Sequence, residues 1–395
     1  MIRVSKKYDV IVVGAGPAGS VTAGTLASNG HSVLLIDKEC FPRNKVCGDG
    51  LTGDSIRMLT ELGLWDSIAE KSFKSEYVEL YPFKNKSFIL KSPVYTFKRE
   101  EFDNDLKEWA IGNGAEFRNL RFCGDVSQKG TEIECWDSDK NKFCILKGRI
   151  IIFAMGCQPD SFVAERTFTE NKIKSDIIAV RGYCKAAWNI DHPLVFFSKE
   201  LKEGYIWIFP MGDNIYNVGC GTRQGKLEIK SILNNFLKNN KYTKKASYRW
   251  EVKPEGAFIN AGLCNIDSAV KNNILLVGET LGTTYPFTGE GIGKALESGY
   301  LAAKLVSDAL NEDDFKRLKY YPFLLEQKIK HAYKPYEIAE RIFKRKYIGT
   351  ILYYCLCCSK TLSNCVSDIL SERKKPNDIK SVRLLYKILS KVSRI

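Results

Sequence analysis

Hydrophobic and polar positions divide the chain into recognisable elements. Asp9 to Val13 is a short, nearly continuous apolar run, the pattern of a buried strand. Gly14 to Gly19 reads as a turn, and Ser20 to Asn29 as a helix ending at Gly30. Ser32 to Ile36 is a second apolar strand, closed by Asp37, so the opening unit is β-turn-α-β. Ser55 to Leu62 and Arg99 to Gly112 have helical apolar spacing, and Gly148 to Ala154 is another buried-strand pattern. From about Ile177 to Glu251 the pattern turns to strands with turn signals such as Gly212-Asp213-Asn214, interrupted by a helix near Leu227 to Lys238. Ile274 to Val277 predicts one more buried strand. A Gly-rich turn then opens a helix at Ile292, with clear periodicity from Leu296 to Asn311. After about Asp313 the chain reads as largely helical and polar, and no internal repeat or low-complexity linker is evident.

Size and composition narrow the class. A chain of 395 residues suggests two or three domains with a large core. Its 44% hydrophobic and 27% charged content is ordinary for a globular protein. The thirteen cysteines are mostly scattered. Cys355 and Cys358 have CxxC spacing, with Cys357 between them, but no second pair completes a zinc site. Three histidines, none paired at ligand spacing, also argue against a metal. The N-terminus runs straight into a strand, so the expectation is a cytoplasmic protein with reduced thiols and no signal peptide.

Charge is unevenly placed. Of the net +14, ten charges fall between Arg341 and Ile395, where 13 Lys or Arg face 3 Asp or Glu. A basic segment can meet nucleic acid or an anionic membrane. No nucleic-acid motif is present, and the tail is rich in aliphatic and aromatic residues, which favours a membrane surface over a merely solvated one. Ser381 to Ile395 puts Val382, Leu385, Leu389 and Val392 on one helical face and Arg383, Lys387, Lys391 and Arg394 on others. That is the pattern of a helix lying in a membrane interface, or of one docked on the protein or a partner copy. The apolar stretch Ile348 to Cys358 is far short of the ~20 residues needed to span. Peripheral attachment is therefore expected.

Two stretches carry the candidate chemistry. The first is Val12-Val13-Gly14-Ala15-Gly16-Pro17-Ala18-Gly19, set between strand and helix. Gly14 permits the tight turn, Gly16 lets backbone approach a pyrophosphate, and Gly19 lets helix and strand pack closely. The helix start offers free N–H groups to phosphate, with Ala15 in the turn itself. Asp37, beyond the next strand, is placed to accept a hydrogen bond from an adenosine ribose. The second stretch is the strand Ile274 to Val277, the pair Gly278-Glu279, and Pro286-Phe287-Thr288-Gly289-Glu290-Gly291-Ile292. It would place backbone N–H groups beside a flavin ring, and so selects FAD over NAD. The alternative is simply another βα unit.

With these segments, Phe41-Pro42-Arg43-Asn44-Lys45-Val46-Cys47-Gly48-Asp49-Gly50-Leu51 and Gly204-Tyr205-Ile206-Trp207-Ile208-Phe209-Pro210 complete a pattern. Over about residues 8–310 the chain resembles the geranylgeranyl reductase family, within the para-hydroxybenzoate-hydroxylase-like fold. The resemblance implies an α/β fold with an α+β second domain. A Rossmann-type FAD-binding domain would comprise residues 1–72, 97–175 and 265–312. An inserted antiparallel-sheet substrate domain would comprise 73–96 and 176–264, and a basic helical region 313–395. It implies that Cys47 and Gly48 lie over the isoalloxazine, that Arg99 reaches the FAD phosphates, and that Gly291 and Ile292 contact the flavin. Two positions depart from the family pattern. The usual Gly-Asp is Gly278-Glu279, and the usual Asp-Gly of the middle strand is Met155-Gly156.

Tyr205, Trp207 and Phe209 alternate, as side chains on one strand face do. They suit either ordinary core packing or the wall of a pocket for a long hydrocarbon, and the resemblance favours the wall. The implied activity is FAD-dependent reduction of C=C bonds in a geranylgeranyl or other isoprenoid chain, with NAD(P)H or another reductant as donor. Cys47 is a candidate proton donor or redox thiol, against the alternative of a small buried side chain. Two rival activities are a flavin monooxygenase or halogenase, and an electron-transfer flavoprotein delivering to quinone. Halogenases carry a Trp-x-Trp-x-Ile-Pro segment, from which Tyr205 and Phe209 differ. The Cys355-to-Cys358 group lacks the spacing of a four-cysteine cluster.

Overall fold

The computed structural model describes residues 2–81, 87–127, 129–157, 177–201, 203–223, 228–263, 266–343 and 359–370. Its first layer is an eight-stranded sheet. The main path runs Val270–Lys271, Ile274–Leu276, Lys142–Phe153, Ile2–Val13, Val33–Asp37, Glu116–Asn119. The four central pairings are parallel, and Arg121–Val126 and Glu132–Asp137 extend the sheet antiparallel from Lys142–Phe153. Val10 to Val13, Leu34 to Ile36 and Ile150 to Phe153 are fully or almost fully buried. Parallel strands covered on both faces read as unbroken apolar runs, which is why they were visible in the sequence.

Helices Pro17–Ser28, Arg99–Gly112 and Ile292–Asn311 flank this sheet. The helical spacing over Arg99 to Gly112 has the bounds of the helix itself. Pro17–Ser28 starts three residues before the expected Ser20, because Pro17 takes the first helical position, where its missing N–H costs nothing. Strand Ile2–Val13 starts well before Asp9, with a register shift between Arg3 and Lys7.

The second layer is a seven-stranded sheet: Tyr248–Ile259, Ile177–Ala186, Ile215–Thr222, Gly204–Pro210, Leu194–Phe197, Val78–Tyr81, Phe88–Leu90. All neighbours are antiparallel except Leu194–Phe197 with Val78–Tyr81. The two faces of this sheet divide the work. Val180, Cys184, Ile206, Ile208, Val218 and Cys220 pack under helix Ile229–Asn239 through Ile229, Leu233 and Leu237. Period-two alternation then turns Arg181, Tyr183, Tyr205, Trp207, Phe209 and Asn217 the other way. The turn signal at Gly212-Asp213-Asn214 is realised as three positive φ angles of 85°, 51° and 59° between two strands. Gly50–Leu51, Val94–Thr96 and Phe73–Ser75 form a separate three-stranded sheet.

Beyond Asp313 the described residues are helical, including Tyr321–Lys328, Tyr333–Phe343 and Lys360–Leu370. The apolar stretch Ile348 to Cys358, with its cysteines, and the amphipathic segment Ser381 to Ile395 lie outside the described residues. Among the described residues no helix is long and apolar enough to cross a membrane.

Candidate active site

A cavity of about 1490 Å³ is lined by residues of both large sheets and the loops between them. The glycine turn forms one wing. A methyl group on Gly14 would stand 2.4 Å from the Ala154 carbonyl oxygen, and one on Gly19 only 1.8 Å from the Gly14 oxygen. Both contacts require hydrogen, and together they press the helix start onto the sheet. Gly16 is the N-cap, with no side-chain cap and no acidic residue in the first turn. Gly16, Pro17 and Ala18 line the cavity, so unsatisfied helix N–H groups point at a place for an anion. Asp37 steadies the turn: Ala15 N donates to Oδ2 at 2.7 Å and Glu39 N to Oδ1 at 3.0 Å. Each oxygen keeps a second lone pair for a ribose hydroxyl.

Two arginines stand behind this wing. Arg99, at the start of its helix, donates from Nε and Nη2 to Asp103 at 2.6 and 2.8 Å. Burial works against its charge, but Asp103 and the nearby Cys47 hold its pKa well above the usual value. Arg43 pairs with the same Asp103 at 3.0 Å, and its Nη2 lies 3.6 Å from where a Gly16 side chain would begin. Arg43 is thus the guanidinium at the glycine turn, a role the sequence reading did not assign. Arg99 lines the cavity from a locked position beside Cys47.

The second stretch meets the first. Ile274–Leu276 pairs with Lys142–Phe153, bringing Gly278 and Glu279 beside Met155-Gly156. The Glu279 carboxylate accepts from Cys157 N at 3.2 Å and lies 3.5 Å from the side-chain direction of Gly156. The two departures from the family pattern therefore face each other. The Glu279 carboxylate thus meets the Gly156–Cys157 backbone. Gly289, Glu290, Gly291 and Ile292 line the cavity, and Gly291 is an N-cap without a side-chain cap. These features fit FAD: a tight glycine cradle, an acid at the ribose position, and two open helix N-termini on one cavity.

The aromatic residues form the other wing. Tyr205, Trp207 and Phe209 line the cavity, with successive ring centroids 6.0 and 6.4 Å apart. Ile206 and Ile208 between them belong to the core under helix Ile229–Asn239. The aromatics are thus a wall, and the aliphatics do the core packing. The Tyr205 hydroxyl donates to the Thr288 carbonyl, and burial, with Glu290 nearby, pushes its pKa up. A methyl group on Gly48 would stand 3.5 Å from Phe209 and 3.9 Å from Trp207, so the Cys47–Gly48 turn faces this wall. Val78, Leu80, Val94, Val195 and Phe287 continue the apolar lining.

The Cys47 turn is held by residues the sequence reading missed. Arg181 Nε donates to the Cys47 carbonyl at 3.1 Å, and its Nη2 donates to Asn44 Oδ1 at 3.0 Å and to the Lys45 carbonyl. Asn217 Nδ2 donates to the Cys47 carbonyl and to Asp49 Oδ2, both at 2.8 Å, while its Oδ1 accepts from Trp207 Nε1 at 2.8 Å. The Tyr183 hydroxyl also donates to Asp49. Burial pushes the Asp49 pKa up to about 6, against the lowering pull of Arg181, Tyr183 and Asn217. One signal was available: Arg181 is a charged residue inside the apolar run Ile177 to Cys184.

Comparison with known proteins agrees with this geometry. Residues 7–135 match an FAD-binding domain model, and residues 185–255 match a geranylgeranyl reductase catalytic domain model. The chain is 30% identical over 364 residues to a menaquinone reductase of Mycobacterium tuberculosis, covering 82% of this chain and 81% of that protein. It is 28% identical over 356 residues to digeranylgeranylglycerophospholipid reductase 3 of Methanosphaera stadtmanae, covering 84% and 85%. A solved structure of a geranylgeranyl bacteriochlorophyll reductase-like protein of Thermoplasma acidophilum has the same fold. Its TM-score is 0.77 at 21% identity, over 95% of this chain and 99% of that one. A flavin-dependent brominase shares the fold equally well, with TM-score 0.77 at 18% identity, over 98% and 100%. On these likenesses and the cradle that matches them, the chain belongs to the geranylgeranyl reductase family of FAD-dependent oxidoreductases.

Proposed function

We propose that this enzyme hydrogenates C=C bonds of a geranylgeranyl or related isoprenoid chain, carried on a lipid or a quinone. NAD(P)H or another reductant supplies the electrons. The observation that carries this reading is one cavity with two wings, a dinucleotide cradle and an apolar slot walled by Tyr205, Trp207 and Phe209. FAD, when bound, supplies the two-electron chemistry, as hydride from its reduced ring. An isolated isoprenoid double bond is not polarised, so hydride acceptance requires a proton at the neighbouring carbon. The wall residues hold the chain, exclude water and present π faces to developing positive charge. Cys47 stands at the junction of the wings as the candidate proton donor or redox thiol.

Gly14, Gly16 and Gly19, with Arg43 close by, would hold the pyrophosphate, and Asp37 the ribose. Glu279, Gly289, Gly291 and Ile292 would hold the flavin end, with Cys47, Gly48 and Arg99 on its other side. The names of the two relatives cover a quinone and a glycerophospholipid, which leaves the head group open. The basic C-terminal region would bring the cavity to an anionic membrane at the cytoplasmic face. Mass spectrometry of cell lipids with and without this protein tests the reading. Mass gains in steps of two hydrogens support it. Gains of oxygen or halogen favour the brominase-like reading that the shared fold allows.

A further inference from the structure

The buried acid behind Cys47 has a place in the site that packing alone does not explain. Asp49 is fully buried, and its backbone N lies 3.4 Å from the Cys47 sulfur. Asn217 and Tyr183 both donate to its carboxyl group, whereas among the described residues Oδ1 has no hydrogen-bond partner. Arg181 is also fully buried, and its Nη1 likewise has no partner among the described residues. The same Arg181 and Asn217 grip the Cys47 carbonyl. Any change of charge on Asp49 is therefore felt directly by the two groups that place Cys47.

We infer that Asp49 is a positioning residue for Cys47: through Tyr183, Asn217 and Arg181 its carboxyl group sets where the Cys47–Gly48 turn stands against the aromatic wall, and gain or loss of its proton moves that turn. An ionised Asp49 is acceptor-only and draws the free Nη1 of Arg181. A protonated one must place a hydroxyl proton and releases that guanidinium. The groups acting on it come from several elements. Arg181 and Tyr183 stand on one strand and Asn217 on the next, and Arg99 acts from the neighbouring helix. Lys98 lies 5.9 Å from the Tyr183 ring centroid, and Cys47 acts on Tyr183 from the loop itself. The inference rests on the reading of Cys47 and Gly48 as the reacting face of the proposed site. Its test uses no prenyl substrate and no turnover, so either can fail alone.

The full-length protein with its flavin is alkylated with iodoacetamide between pH 5 and 8, and each cysteine is followed by peptide mass spectrometry. Exposed Cys40 and Cys123 are the internal references. The ratio of Cys47 to reference labelling is expected to step at least threefold near pH 6, where Asp49 titrates. Asp49→Asn, which mimics the protonated acid, should be flat across this range. Tyr183→Phe removes a hydrogen bond that lowers the acid's pKa, so its step should move to higher pH. A flat wild-type profile, or an unmoved step in Asp49→Asn, overturns the inference. If Asp49→Asn does not fold, an unshifted step in Tyr183→Phe overturns it equally.

Discussion

Gly19 has no room for a side chain. A methyl group there would lie 1.8 Å from the Gly14 carbonyl oxygen, so Gly19→Ala must push the helix off the sheet. The expected outcome is loss of bound flavin and a stability loss of about 1–3 kcal/mol, measured by absorbance of the purified protein and by thermal melting. Cys47 is tested by Cys47→Ala. Flavin should stay bound while turnover falls at least tenfold, and full turnover would leave Cys47 as mere packing. Asp49 adds a pH signature. Its folded pKa, about 6, lies above the ~3.9 of an Asp in an unfolded chain. Its contribution to stability is therefore complete below about pH 4 and is lost as pH rises through 6. Asp49→Asn should flatten that part of the curve, which urea unfolding at pH 4.5 and 7 measures. The glycines and Asp37 were legible in sequence because their partners are near in the chain or on the next strand. Asp49 was not, since its donors Tyr183 and Asn217 stand 134 and 168 positions away.

At the scale of elements, strand Gly204–Pro210 separates two environments. Its aliphatics face a helix and its aromatics face the cavity, so one strand both closes a core and builds a wall. Alternation gave that division from sequence, but not which face was the core. Helix Ile229–Asn239 settles it by covering the Ile206 and Ile208 side. Phe209→Ala removes ring surface from the wall without touching the Trp207–Asn217 hydrogen bond. It should raise KM for a long prenyl chain several-fold and leave flavin affinity unchanged, measured by steady-state kinetics and flavin titration. Equal loss of flavin and substrate binding would mean that the strand supports the cradle rather than the slot. The three-stranded sheet was not foreseen, because Gly50–Leu51 is too short to show a period.

The molecule as a whole joins an FAD cradle to an apolar slot, and its C-terminal helices stand near both. Arg223, in the slot lining, pairs with Glu340 of helix Tyr333–Phe343 at 2.7 Å. Helix Lys360–Leu370 docks on the edge strand Phe88–Leu90 through Ser363 and Ser367. Helix Lys360–Leu370 thus lies beside the sheet that walls the slot. Truncation before Ser381 should weaken binding to anionic liposomes in cosedimentation, and unchanged binding would remove that segment's membrane role. The most direct measurement follows the purified protein under anaerobic conditions, reduced and mixed with a geranylgeranyl lipid. The account predicts a yellow protein whose flavin is reoxidised as the lipid gains two hydrogens per bond. A colourless protein that flavin does not reconstitute, or a lipid that gains oxygen or halogen instead, would contradict it.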